Sequence, residues 1–157
     1  MNRGVRHILV VEDNPADVRL VREALGNGPV AKQIHVAGDS AEAEAFLRAS
    51  GHLTDLVLLD LNLPGKTGHE LLGDIRRDPN LRLVPVVIFS SSDSDEDVRR
   101  AYAAHANCYV AKPGDLDRYF SVLASIESFW LSTARLPGMP PLAAAPAVVE
   151  TSLCNPR

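Results

Sequence analysis

Short runs of Val, Ile and Leu recur along the chain, and stretches with a helical spacing of apolar residues separate them. The runs are mostly continuous rather than alternating, which is typical of strands buried on both faces of a parallel sheet. They lie at residues 7–11, 33–37, 55–59, 85–89 and 108–111. The pattern therefore predicts five strands.

Helix-start signals stand between these strands. Pro15 suits the first position of a helix whose capping residue is Asn14. Asp39 with Glu42 has the spacing of a capping box, and Ser94 with Asp97 repeats it. The predicted helices begin at or beside Asn14, Asp39, Gly68, Ser94 and Asp115.

Five successive strand–helix units predict an α/β fold, a doubly wound five-stranded parallel sheet with helices on both faces. We place this domain at residues 5–136. From Pro137 onward the composition shifts to Pro, Ala, Val and Ser. Residues 137–157 are therefore expected to form a disordered tail or an extended arm.

The chain is mildly acidic, with 16 Lys and Arg against 20 Asp and Glu and a formal charge of −4. Bulk electrostatics of this sign argue against nucleic-acid binding. No apolar run approaches the roughly 18 residues that a membrane-spanning helix needs. The polar start of the chain does not look like a signal peptide, so we expect a cytoplasmic protein without a membrane partner.

Acidic residues follow the first and third strands. In open α/β sheets ligands bind beyond the carboxyl ends of the strands, and adjacent first and third strands bring Glu12, Asp13 and Asp60 together. Carboxylates at roughly 4 Å repel by about 4 kcal/mol at an effective dielectric near 20. The cluster therefore predicts Mg²⁺, which accepts oxygen ligands and retains water. Asp13 and Asp60 would bind directly, the Asn62 carbonyl would be a third ligand, and Glu12 would hold a coordinated water.

Two further polar residues end the fourth and fifth strands. Lys112 supplies an ammonium on the far side of Asp60, and Ser90 supplies a hydroxyl donor. A carboxylate flanked by Mg²⁺, an ammonium and a hydroxyl is suited to attack a phosphoryl group in line and form an aspartyl phosphate. This arrangement predicts that Asp60 is a phosphoryl acceptor.

Four segments carry a family resemblance: VVEDN, LVLLDLNLPG, VVIFSSSD and NCYVAKPG. In order and spacing they resemble the signatures of receiver domains of two-component response regulators, over about residues 8–130. The resemblance implies a flavodoxin-like (βα)5 fold with strand order 2-1-3-4-5. It implies a regulator rather than an enzyme, one that promotes its own phosphotransfer and slow dephosphorylation. The implied roles are phosphorylation at Asp60, the acid pocket at Glu12 and Asp13, phosphate pairing by Lys112, and switching by Ser90 and Tyr109.

A narrower resemblance rests on NCYVAKP followed by IESFWLSTARLP. These segments look like the small regulators that partner phytochrome-type histidine kinases in bacteria. The implied partner is therefore a sensor histidine kinase, with a phytochrome photoreceptor as the expected type.

Three other functions compete with this interpretation. A haloacid-dehalogenase-type phosphatase needs a general acid two positions after the nucleophile, where this chain has Asn62. A nucleotide-binding Rossmann protein needs a glycine-rich phosphate loop after the first strand, and none is present. A degenerate receiver that only binds partners would lack part of the acid pocket or the lysine, and neither is missing.

The last predicted helix has more apolar residues than one sheet face requires. Val122 and Phe129 fall outside its main stripe, and Leu131 and Leu136 extend the run. Leftover aromatic groups often mark an interface, so we expect a homodimer built on this helix and its C-terminal extension. The alternative is that Phe129 and Leu131 fold back on their own domain. The main stripe is Leu116, Tyr119, Phe120, Leu123, Ile126 and Trp130.

Overall fold

A computed structural model describes residues 4–137 of the chain. Five strands alternate with five helices, which confirms the predicted α/β class. A short 3₁₀ turn, Gly51–Leu53, follows the second helix, and a π-helical segment, Ser128–Thr133, continues the fifth. The regular elements are β1 (Arg6–Val11), α1 (Pro15–Gly26), β2 (Lys32–Ala37), α2 (Ser40–Ser50), β3 (Leu56–Leu59), α3 (Gly68–Arg77), β4 (Val86–Ser90), α4 (Asp95–Ala103), β5 (Cys108–Ala111) and α5 (Leu116–Glu127).

All neighbouring strands are parallel, and their order is β2-β1-β3-β4-β5, as the family resemblance implied. In the centre, Val10 of β1 lies opposite Val36 of β2 on one side and Leu58 of β3 on the other. After β1 the chain therefore forms β2 on one side of that strand and then crosses over to form β3 on the other side. This change of direction opens a crevice at the carboxyl ends of β1 and β3.

Burial differs between central and edge strands. β3 and β4 are buried throughout and β1 over its last four residues, whereas β2 and β5 are largely half-exposed. The prediction of burial on both faces was wrong for the two edge strands, which have a neighbour on one side only. Strand bounds also shift slightly, since β3 begins after Asp55 and β4 ends at Ser90.

Two apolar layers hold the helices against the sheet. One face carries α2, α3 and α4, whose buried residues include Leu47, Leu72 and Ala101. The other face carries α1 and α5, which contribute Leu25 and Leu123. Within residues 4–137, no helix combines the length and the apolar character needed to cross a membrane.

The predicted helix caps are present, but their reciprocal bonds differ from the prediction. The Asp39 side chain accepts from the backbone N–H of Glu42 at 2.8 Å, while the Glu42 carboxylate accepts from Gly38 rather than from Asp39. Ser94 caps α4, but the Asp97 carboxylate accepts from the Ser92 hydroxyl, and the Ser94 N–H donates to Ser92 instead of to Asp97. The complete capping box is Thr67 with Glu70, at the start of α3.

The end of α5 departs from the predicted stripe. Leu116, at the first helical position, is 52% exposed and not part of the core. Leu131 is only 3% exposed and packs with the α1–α5 layer, whereas Phe129 is 53% exposed. The i to i+5 bonding of the π-helical segment, seen from Ala134 to Phe129, changes which side chains face the core. The predicted tail, residues 137–157, lies outside the described residues from position 138 onward.

Candidate functional site

The carboxyl ends of four strands meet at one edge of the sheet. Glu12 follows β1, Asp60 follows β3, Ser90 ends β4, and Lys112 follows β5. Backbone bonds continue the strand pairing into these residues, because the Asp60 N–H donates to Val11 at 3.0 Å and the Lys112 N–H to Ser90 at 2.7 Å. The main chain therefore fixes the positions from which the polar side chains project.

Three of the predicted acidic residues converge here. Carboxylate oxygens of Glu12, Asp13 and Asp60 all lie within 4.8 Å of one another. Glu12 and Asp60 are buried, and Asp13 is exposed. Burial raises the pKa of Glu12, and the nearby charge of Asp60 acts in the same direction, against the lowering effect of a hydrogen bond from Lys112. The cluster is an all-oxygen donor set with unfavourable like charges, which is suited to a divalent cation.

Lys112 places its ammonium beside this cluster. Its Nζ lies 2.6 Å from Glu12 Oε1, 3.2 Å from Asp17 Oδ2 and 3.5 Å from Asp60 Oδ2. Burial disfavours the ammonium, but these carboxylates outweigh it and the pKa of Lys112 is raised. The predicted partner Asp60 is thus the most distant of three carboxylates around one cation.

Asn62 and Ser90 line the same edge of the sheet. The backbone N–H of Asn62 donates to Asp60 Oδ1 at 3.3 Å. Ser90 is fully buried, and its hydroxyl oxygen accepts from the Ser92 N–H at 3.3 Å. Gly68 allows α3 to start directly behind Asp60, because a Cβ at this position would collide with the Asp60 carbonyl oxygen.

Tyr109 is tied to the loop between β4 and α4. Its hydroxyl donates to the Ser92 carbonyl oxygen at 2.6 Å, and its half-buried ring packs against the core layer of α2, α3 and α4. Burial raises the pKa of Tyr109. Since the Ser92 N–H in turn donates to Ser90, the two predicted switch residues are joined through Ser92.

Sequence reasoning missed two groups of residues at this edge. Asp17 accepts a hydrogen bond from Lys112 at 3.2 Å. The Tyr119 hydroxyl donates to the other oxygen of Asp17 at 2.8 Å and so reaches Lys112 only indirectly. Asp17 lies in the first turn of α1 and Asp13 precedes that helix, so helical spacing does not indicate the contact of Asp17 with Lys112. Ser92 and His69 both contact Asp97, at 2.6 and 3.2 Å, across a loop that shows no periodic pattern.

Comparison with known families gives one match over most of the chain. Residues 8–124 match the model of the response regulator receiver domain. This range includes every element from β1 to most of α5.

Individual relatives extend the similarity. The response regulator Rcp1 of Synechocystis sp. is 42% identical over 135 residues, which cover 83% of this chain and 92% of Rcp1. The phosphorylated cyanobacterial phytochrome response regulator RcpA superposes with a TM-score of 0.80 at 45% identity, over 84% of this chain and 98% of that structure. The Mn²⁺-bound form of Rcp1 gives a TM-score of 0.78 at 41% identity, over 84% and 99%.

Proposed function

Because the chain belongs to the response regulator receiver domain family, a phosphoacceptor family of two-component systems, we propose that Asp60 accepts the phosphoryl group. The supporting observation is that buried Asp60 lies in the sheet crevice between an acid cluster and the Lys112 ammonium. The donor would be the phosphohistidine of a sensor kinase. An Asp60 oxygen attacks phosphorus, the phosphorus–nitrogen bond breaks, and its electron pair returns to the imidazole.

We propose Mg²⁺ as the cation of this site. Asp13 and Asp60 would bind the cation directly, Glu12 would hold a coordinated water, and the Asn62 carbonyl is the proposed backbone ligand; the carboxylate oxygens of the three acidic residues lie within 4.8 Å of one another. The cation would neutralise charge on the transferring oxygens. The Mn²⁺-bound form of Rcp1 supports a divalent metal in this family, and the preference for Mg²⁺ follows from oxygen-only ligation.

The remaining site residues have separate proposed roles. Lys112 pairs with the phosphoryl oxygens opposite the metal, and the Ser90 hydroxyl donates to another of them. When Ser90 turns to the phosphoryl group, its bond from Ser92 is lost, and the loop that holds the Tyr109 hydroxyl changes conformation. The same groups would also promote slow hydrolysis of the aspartyl phosphate.

The proposed partner is a histidine kinase of the phytochrome type. RcpA is described as a phytochrome response regulator, and its similarity to this chain, at 45% identity, covers 98% of RcpA and 84% of this chain. We retain a cytoplasmic location as part of the proposal. We also retain the expectation that nucleic acid is not a partner, on the grounds of net charge.

The test of the acceptor is the Asp60→Asn variant, compared with wild type and with the exposed-site control Asp117→Asn. Each protein is incubated with acetyl phosphate and Mg²⁺, or with a phosphorylated phytochrome-type kinase. Wild type and control should acquire acid-stable, hydroxylamine-labile phosphate, and Asp60→Asn should acquire none. Equal labelling of Asp60→Asn would contradict the assignment, and equal labelling of wild type in excess EDTA would contradict the metal.

We further propose a homodimer built on α5 and the segment that follows it. Phe129 is 53% exposed beside a shallow cavity of about 450 Å³ lined largely by small residues of α5, including Ala124 and Ser125. Burying one Phe per subunit would contribute roughly 1.5–3 kcal/mol each. Leu131 no longer counts toward this surface, because it packs inside its own domain.

Light scattering at micromolar concentration tests the dimer. Phe129→Asp should be monomeric, while Leu116→Asp, an equally exposed leucine at the other end of α5, should remain dimeric. A monomeric wild type, with and without phosphorylation, would overturn the proposal, as would a dimeric Phe129→Asp.

A further inference from the structure

A hydrogen-bonded chain runs from α5 through α1 to the lysine of the site. The Tyr119 hydroxyl donates to Asp17 Oδ1 at 2.8 Å, and Asp17 Oδ2 accepts from the Lys112 ammonium at 3.2 Å. Tyr119 is buried, and its ring packs edge-on against Phe89 with the centroids 5.2 Å apart. Both oxygens of one carboxylate are therefore engaged, one by a rigid aromatic side chain and one by the functional cation.

We propose that Asp17, held in orientation by Tyr119, is a positioning residue that sets where the Lys112 ammonium stands relative to Asp60. The proposal rests on the phosphoacceptor role proposed above for Asp60. It assigns to Tyr119 a role through Asp17 alone, since its hydroxyl contacts Asp17 in the structure.

The geometry around the ammonium supports this role. Lysine is a compact point charge on a flexible stem with three donors, so its position depends on the acceptors around it. Glu12, Asp17 and Asp60 accept at 2.6, 3.2 and 3.5 Å. With Asp17 removed, the ammonium is drawn between Glu12 and Asp60. A tight pair with Asp60 would weaken the nucleophile and misalign the charge that meets the phosphoryl oxygens.

The hydrogen bond from Tyr119 fixes the orientation of the Asp17 carboxylate. Burial raises the pKa of the Tyr119 hydroxyl, and the hydrogen bond to Asp17 adds to the rise. The hydroxyl therefore stays protonated and remains a donor across the working pH range. A neutral donor on one oxygen leaves the other oxygen of Asp17 aimed at Lys112.

The kinetic test uses phosphorylation by acetyl phosphate at saturating Mg²⁺ in the full chain. Tyr119→Phe keeps the ring and should lower the maximal rate about threefold, and Asp17→Asn about tenfold. Tyr119→Phe should leave KM for acetyl phosphate unchanged, because Tyr119 does not touch the donor. In the double variant the Tyr119→Phe effect should vanish, while independent, additive effects would overturn the proposal.

Two matched controls separate positioning from general effects. Glu23→Gln removes an exposed charge from α1, and Asp117→Asn removes an exposed charge from the first turn of α5. Both should react at the wild-type rate. Unfolding in urea identifies variants that are merely destabilised; a loss of stability with an unchanged maximal rate would also count against positioning.

A second readout needs neither metal nor phosphorylation. Nitrogen-15 NMR of the Lys112 ammonium in metal-free protein should show a shifted signal in Asp17→Asn and Tyr119→Phe, and an unshifted one in the two controls. Unchanged signals and rates in both variants would overturn the inference while leaving Asp60 as acceptor. A wild type that takes up no phosphate would instead overturn the proposed function, with the NMR shifts still testing the placement of Lys112.

Discussion

Two buried lysines sit on opposite edges of the sheet in contrasting charge environments. Lys32, 5% exposed, has one carboxylate partner, Glu127, at 3.0 Å, and also donates to the Leu25 carbonyl at 2.6 Å. Lys112, 7% exposed, faces three carboxylates, and Asp13 adds a fourth to the same cluster. The two cations are equally buried, so burial alone does not separate a structural pair from a functional one.

The Lys32–Glu127 pair is balanced and internally satisfied. Glu127 also accepts from the Val30 N–H at 2.9 Å, which ties the start of β2 to the end of α5. Gly28 leaves the space for this carboxylate, because a Cβ there would collide with it. Such a pair needs no further ion and acts as part of the scaffold.

The carboxylate cluster at Lys112 is unbalanced in charge. Three carboxylates around the Lys112 ammonium, with Asp13 beside two of them, leave excess negative charge that costs stability. A divalent cation bound at the proposed site would offset that cost, and a phosphoryl group on Asp60 would change it again. We therefore expect an excess of negative charge to distinguish the proposed site from charge-balanced structural pairs such as Lys32–Glu127.

The largest expected change in the free energy of unfolding comes from breaking the charge-balanced Lys32–Glu127 pair. Glu127→Ala leaves a buried ammonium without its carboxylate, so the free energy of unfolding should fall by about 3–5 kcal/mol. Urea unfolding measures the change. The matched control is the double variant Lys32→Met with Glu127→Met, which removes both charges and should be far closer to wild type. An equal loss in the double variant would show that packing, and not charge balance, is decisive.

A smaller effect of opposite sign is expected in the unbalanced cluster. In EDTA, Asp60→Asn removes one of the repelling carboxylates and should raise the free energy of unfolding by about 1 kcal/mol. Mg²⁺ at tenfold its Kd should stabilise wild type by about 1.4 kcal/mol and the variant by less. Destabilisation of Asp60→Asn in EDTA would refute the view that this cluster is strained by its charge.

The sequence predicts the strand order only through family resemblance, but it predicts the alternation of elements directly from apolar runs. Glu12, Asp13 and Asp60 were placed together correctly, because parallel strands bring their carboxyl ends to one edge. The end of each strand is marked locally, where an apolar run gives way to a polar residue. Placing a polar side chain at the carboxyl edge of the sheet therefore needs only the strand that precedes it.

The sequence pattern did not predict contacts between elements that are distant along the chain. Lys32 and Glu127 are separated by 95 positions, and neither stands in a motif that pairs them. The same holds for Tyr119 with Asp17, which meet only because α1 and α5 share one face of the sheet. Leu131 was misassigned for a related reason, since a π-helical segment changes the facing side chains without a visible change in apolar spacing.

The smallest expected effect on the free energy of unfolding is at a pair of stacked histidine rings, where protonation of His35 adds a positive charge next to other cationic groups. His7 on β1 and His35 on β2 stack with ring centroids 5.5 Å apart, and their facing nitrogens lie 3.3 Å apart. Burial lowers the pKa of His35 from its ordinary value of 6.5, and the charges of His7 and Arg22 lower it further. The unfolded chain therefore binds a proton at His35 at a higher pH than the folded protein does. As the pH falls through 6.5, the free energy of unfolding should decrease, and the decrease should stop below the folded-state pKa.

His35→Gln removes this protonation and should flatten the dependence of urea stability between pH 7.5 and 5, whereas the exposed-site control His105→Asn should keep the wild-type slope. His105 has a positive φ of 71°, which asparagine tolerates, so the control adds little backbone strain. An unaltered slope in His35→Gln would mean that the folded protein accepts a proton at this ring as readily as the unfolded chain. In that case protonation of His35 would carry no cost in stability, and the cost of unbalanced charge would be confined to the carboxyl edge around Lys112.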